Sequence, residues 1–187
     1  PQILLVMEPT GGYEQRLACF AHQRGWLVSL PNPYQVRRWA EGKGIRAKTD
    51  RQDAQLLARY GLQGPVPLWQ PLPEHVAVLS DLLDRRQDLE HMLRQERNRA
   101  HALQGQGRYS GPTQESVERT LARLETSLQE IEQAIKEHLE RHDDLQQQRR
   151  ILRQVPGVGD KNVLPLLVLC ARWSSLTQGH GSAKGLT

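Results

Sequence analysis

Three carboxylates in the first third of the chain are the residues best suited to chemistry. Glu8 closes the apolar run 3–7, and Asp50 and Asp53 stand three apart at the start of a predicted helix. That separation puts both side chains on one side of the same turn. Paired carboxylates repel each other unless a cation neutralises them. Mg2+ or Mn2+ takes oxygen ligands of this kind and keeps positions open for water and phosphate. A third carboxylate arriving from a strand end would complete such a site, with Lys48 and Arg51 beside it to meet a phosphodiester. The spacing also fits a plainer reading: Asp50 as a helix N-terminal acid favoured by the dipole, Asp53 solvated, and Glu8 part of a turn.

An α/β layer is needed to bring these residues together. The continuous apolar run 3–7 reads as a strand buried on both faces, broken by Pro9, Gly11 and Gly12. A helix should come next, with Tyr13, Leu17, Phe20 and Ala21 on its inner face and Gly25 as its C-cap. Residues 26–30 read as a second strand, closed by Pro31-Asn32-Pro33, and a short helix through Val36 and Trp39 succeeds it. Lys43, Arg46 and Lys48 form a basic loop cluster ahead of the acidic pair. Thr49 with Gln52 fits a capping box for a helix that carries Leu56, Leu57 and Tyr60 inward and stops at Gly61. Two strands alone make a small sheet with an unpaired edge, which predicts further strands upstream or from another chain, or a rearranged N-terminal region. The chain opens at Pro1 inside a hydrophobic run and is expected to be a fragment.

Residues 64–73 contain four prolines and read as a stiff linker between residues 1–63 and a long helical region. In that region, stretches 74–103 and 113–152 are helical around a Gly/Ser/Pro turn. The second keeps a heptad seam of Val117, Leu121, Leu124, Leu128, Ile131 and Ile135, continued in phase by His138, His142 and Leu145. An antiparallel coiled-coil hairpin over 74–152 is expected, its sparse core calling for a second copy. In 153–187, Val155-Pro156-Gly157-Val158-Gly159 before an apolar run has a helix-hairpin-helix pattern. There Gly157, Gly159 and Lys161 could approach a phosphate, although an ordinary helix–helix corner fits equally.

The net charge of +4 is unevenly spread. Residues 1–73 hold nine Lys/Arg against five Asp/Glu, residues 74–150 twelve against fifteen, and residues 151–187 four against one. The basic ends suit a polyanion, with Arg37 and Arg38 beside Trp39 as further candidates. Trp39 could stack on a base, though packing on the sheet is favoured. Cys19 and Cys170 each lie in apolar surroundings and read as small buried hydrophobes. No apolar run is long enough to span a bilayer, so a soluble, cytoplasmic protein is expected. His138 and His142, four apart, could hold a metal, but on a seam they read better as tolerated polar core positions.

Certain strings go beyond pattern. Glu8-Pro9-Thr10-Gly11-Gly12-Tyr13, then Asn32-Pro33 with Val36-Arg37, then Lys48-Thr49-Asp50-Arg51-Gln52-Asp53-Ala54 resemble the DEDD transposases of bacterial insertion sequences, RuvC-like and guided by a bridge RNA. The long helical insertion and the Pro-Gly-Val-Gly string are similar too. The resemblance implies a partial RNase-H/RuvC-like catalytic domain, a coiled-coil assembly arm, and the start of a C-terminal domain. It further implies metal-dependent DNA strand exchange, with DNA, a guide RNA and further copies of the chain (a dimer or tetramer) as partners. Glu8, Asp50 and Asp53 would be the second, third and fourth acidic residues of the tetrad. The family's first Asp lies on an upstream strand and its nucleophilic serine in the C-terminal domain; Ser174, Ser175 and Ser182 do not sit in that motif. Two rivals stand beside this reading. One is a non-catalytic nucleic-acid-binding or oligomerisation module; the other is a RuvC-like Holliday-junction resolvase.

Overall fold

The computed structural model describes residues 2–45, 49–105, 107 and 110–178. It divides into two compact units, Pro1–Leu72 with Ala171–Thr187, and Pro73–Cys170.

In the first unit, β1 (Leu4–Val6) pairs in parallel with β2 (Leu27–Ser29), in the register Leu4↔Leu27 and Val6↔Ser29. A parallel pair needs a crossover, and α1 (Gln15–Gln23) supplies it. Side chains alternate across the strands. Leu5, Met7 and Val28 pack with Ala18 and Ala21 of α1, while Leu4 and Val6 approach α3 (Asp50–Leu62). A second cluster joins α2 (Pro33–Gly42) to α3 through Val36, Ala40, Leu56 and Tyr60. Trp39 packs there edge-on to Tyr60 at 5.5 Å between centroids, so its contact is with α3 and not with the sheet as expected. The linker is tied down where Trp69 N–H donates to Val28 O at 2.7 Å and Ser29 Oγ donates to Pro67 O at 2.8 Å.

Expectations for α1 and α3 fail in part. Of the expected inner face only Ala21 is buried, together with Ala18, while Tyr13, Leu17 and Phe20 are exposed, Tyr13 by 91%. A helix lying this close to a strand favours small residues at the contact over bulky ones. Gly61 does not end α3, which runs through it to Leu62. Gly61 is the point of closest approach to β1, where an added Cβ would lie 2.7 Å from Val6 Cγ2 and 3.3 Å from Leu4 Cδ2. Gly61→Ala should gain helix propensity of up to about 1 kcal/mol. It must also displace a stiff β-branched side chain, and overpacking costs about 1–3 kcal/mol. A net loss of about 1 kcal/mol is expected in urea unfolding; a gain would show that β1 yields freely.

In the second unit α4 (Glu74–Gly105) and α5 (Gly111–Glu140) lie antiparallel, joined side to side by Arg97 Nη2–Glu125 Oε1 at 2.8 Å. Val76, Leu79, Leu83, Leu89 and Leu93 of α4 are buried, as are Val117, Ile135 and Leu139 of α5. The heptad phase holds, because Leu121, Leu124, Leu128 and Ile131 are half-buried where most of their neighbours are exposed. The expected single helix over 113–152 is broken at Arg141–His142. His142 adopts φ −127°, ψ 95°, and α6 (Asp143–Arg153) begins anew with Asp143 and Asp144 in its first turn, where carboxylates are favoured. His138 Nε2 lies 2.7 Å from His75 O, His75 Nε2 lies 2.7 Å from Asp144 Oδ2, and His142 stacks on His75 and lies tilted against His138. After a turn in which Gly157 takes φ 89°, α7 (Asp160–Gln178) buries Val163, Leu164, Leu167 and Val168. Cys170 falls on the outer face of α7 and is exposed, and Cys19 is half-buried, against the expectation of burial for both. No helix among the described residues is long and apolar enough to cross a membrane.

Candidate active site

The carboxyl ends of parallel strands are where open α/β sheets present their ligands. Here Glu8 lies just past β1, Pro31 just past β2, and α2 and α3 form two walls. Together they line a cleft of about 620 Å3. From α2 come Pro33, Val36, Arg37, Ala40 and Glu41, from α3 come Asp53, Leu56 and Leu57, and Ile45 adds to the apolar lining. Helical spacing explains both sets, since residues three and four apart share a face. The lining is thus mixed, apolar residues from both helices alternating with Glu8, Glu41, Asp53 and Arg37.

Two of the three expected carboxylates, Glu8 and Asp53, line this cleft. Asp50 lies one turn earlier on α3, exposed and outside the lining. The helix start is fixed by Thr49, whose Oγ1 accepts from Gln52 N–H at 3.4 Å and whose carbonyl accepts from Asp53 N–H at 2.9 Å. Neither the Glu8 nor the Asp53 side chain makes a hydrogen bond or ion pair among the described residues. Among the described residues no three His, Cys, Asp or Glu side chains are arranged to hold a metal ion. That covers the His75, His138 and His142 group as well. The fit to Mg2+ therefore rests on two unpartnered carboxylates in one cleft, a number that suits an ion which keeps water and substrate phosphate among its ligands.

The loop behind Glu8 has its own clamp, which residue spacing did not single out. Glu14 Oε2 accepts from Thr10 N–H at 2.9 Å, Gly12 N–H at 3.0 Å and Thr10 Oγ1 at 3.2 Å. Gly11 and Gly12 take φ 70° and 106°, a backbone that L side chains rarely adopt. The Thr10 N–H, followed by Glu14's own N–H, holds the Glu14 carboxyl at about 2 against an ordinary 4.5. A depressed carboxyl contributes stability above its unfolded value and loses it as pH falls through the folded one. The loop should therefore stay clamped at pH 3 and loosen near pH 2. Glu14→Gln should speed exchange of the Thr10 and Gly12 amide protons at neutral pH, read by NMR. Unchanged exchange would leave the clamp without effect.

Of the basic candidates, Lys43 caps the C-terminus of α2 and is exposed, and Arg51 is exposed on the first turn of α3. Arg46 and Lys48 lie outside the described residues. Arg38 Nη1 contacts Glu41 Oε2 at 3.4 Å and lies over the Tyr34 ring, whereas Arg37 faces the cleft. Gly157 and Gly159 form the turn before α7, and Lys161 is exposed on its first turn. Asp160 beside them is held by Arg153 at 2.9 Å and lies 3.9 Å from Arg149. Glu41 was missed because a glutamate on an exposed helix reads as solvation. Its place four residues after Arg37 was the available signal.

A family model described as "Transposase", that of the DEDD transposases, matches residues 1–105. The chain is also 33% identical over 171 residues to the "Pilin gene-inverting protein" of Moraxella lacunata, covering 91% of this chain and 51% of that protein. It is equally similar to the protein of the same name from Moraxella bovis. The chain spans about half the length of these curated relatives.

Proposed function

Because this chain belongs to the DEDD transposase family, we propose that it carries part of the catalytic machinery of a metal-dependent DNA recombinase that cuts and rejoins DNA at an insertion sequence or invertible segment. One observation carries the reading. Glu8 and Asp53, from different elements and 45 positions apart in sequence, line one cleft at the strand ends with their carboxylates unpartnered among the described residues.

In this reading residues 1–63 are part of an RNase-H/RuvC-like catalytic domain, 74–152 an antiparallel coiled-coil assembly arm, and 153–187 the start of a second domain. Glu8 and Asp53 would hold Mg2+ or Mn2+, with Asp50, at the start of α3, as a further ligand. A bound divalent ion supplies charge neutralisation at a phosphate and acidifies a bound water or hydroxyl. The protein's part is positional. Thr49 sets the start of α3 and so the position of Asp53, and Glu14 fixes the loop behind Glu8. DNA, a guide RNA and further copies of the chain are the proposed partners. The names of the Moraxella relatives point to inversion as one outcome of such chemistry.

The test is inversion or excision in cells expressing the encoded protein, together with Mg2+-dependent cleavage of the recombination site in vitro. Glu8→Gln and Asp53→Asn should abolish both while leaving the helical circular dichroism intact. Full activity in both variants would reject the catalytic reading and leave the nucleic-acid-binding module.

A further inference from the structure

Arg37 is the one cation among the described residues lining the cleft, and it shares that lining with three carboxylates, Glu8, Glu41 and Asp53. An Arg and a Glu four apart on an exposed helix are positioned to pair. On α2 they do not. Glu41 Oε2 is engaged by Arg38 Nη1 at 3.4 Å, and the Arg38 guanidinium carbon lies 5.9 Å from the centroid of the Tyr34 ring. Arg37 makes no hydrogen bond or ion pair among the described residues. The two neighbouring arginines are therefore in different situations: Arg38 is committed within the helix, and Arg37 keeps its planar fork of N–H donors open at the cleft. That fork matches two oxygens of a phosphodiester.

We propose that Arg37 grips a DNA phosphate in the cleft, and that Arg38 is a positioning residue that draws Glu41 aside so that Arg37 is not neutralised. This rests on the recombinase reading above. It adds a division of labour: Glu8 and Asp53 address the reacting phosphate, and Arg37 fixes the strand that carries it. Glu41 becomes the tuning element, able to pair with either arginine. The Arg38–Glu41 contact is solvent-exposed and hence weak, so its removal should have a modest effect and removal of Arg37 a larger one.

The experiment measures binding of the full chain to fluorescently labelled single-stranded and duplex DNA oligonucleotides by anisotropy, in Mg2+, across a series of salt concentrations. Arg37→Ala should weaken binding about tenfold and reduce the slope of log K against log salt by about 0.7 on single strands or 0.9 on duplex, the signature of one lost phosphate contact. Arg37→Lys should keep the slope while losing part of the affinity, which separates lost contact from lost fold. Arg38→Ala should weaken binding two- to fivefold, and the double variant Arg38→Ala/Glu41→Gln should recover most of it. An unchanged slope in Arg37→Ala overturns the phosphate grip. A double variant no better than Arg38→Ala overturns the positioning role and makes Arg38 an ordinary contact residue. Failure of the underlying reading looks different: Mg2+-dependent cleavage would then survive Asp53→Asn whatever Arg37 does.

Discussion

Asp53→Asn is expected to lower Mg2+-dependent strand cleavage by about a thousandfold. The substitution is nearly isosteric, so α3 and its Thr49 cap should persist and the loss should be one of charge. Neutralising a charge-bearing ligand in a metal-assisted site removes several kcal/mol of transition-state stabilisation, and each 1.36 kcal/mol is about tenfold in rate. Glu8→Gln should behave alike, because both side chains line the same cleft without partners among the described residues. Asp50→Asn should cost less, since Asp50 lies outside that lining. Equal losses at all three positions would mean that Asp50 swings into the cleft when metal and DNA are bound. Single-turnover cleavage rates, compared at saturating DNA, distinguish these outcomes.

Leu89→Ala should destabilise the second unit by about 3 kcal/mol. Leu89 is only 1% exposed on α4, and large-to-small changes at such positions cost about 2–5 kcal/mol through lost transfer energy and the cavity left behind. An antiparallel pair of helices has a narrow core with few residues to share that loss. A domain of ordinary stability holds only about 5–15 kcal/mol, so the change should be visible as a lowered midpoint in urea unfolding monitored by circular dichroism. Leu62→Ala is the contrast, for Leu62 is 86% exposed and should shift stability by less than about 0.5 kcal/mol. A Leu89→Ala variant as stable as the parent would mean that this packing does not hold α4 to α5.

How far the sequence disclosed the structure depended on the kind of signal involved. The apolar runs became β1 and β2, and the Thr49 cap and the α5 seam lie where local chemistry put them. These signals are written within a few residues of each other. The inner face of α1 is legible only at Ala21: Tyr13, Leu17 and Phe20 are the large apolar residues, while close contact with the sheet selects Ala18 beside Ala21. Gly61 looked like a helix stop because its clash partners, Val6 and Leu4, are remote in sequence. The break before α6 was invisible to heptad counting, since His138, His142 and Leu145 continue the phase while the His75–Asp144 contact joins distant segments. At the site, Asp50 and Asp53 shared a turn in the sequence, yet the cleft takes Asp53 with Glu41, a partner from another helix.

Paramagnetic broadening by Mn2+ probes the proposed ion site at residue resolution. Sub-stoichiometric Mn2+ added to the 15N-labelled chain should erase amide signals around Glu8 and Asp53 first. In the Glu8→Gln/Asp53→Asn double variant that localised loss should vanish. Broadening that spreads over surface carboxylates without favouring the cleft, or that survives the double substitution, would contradict a divalent ion held between β1 and α3.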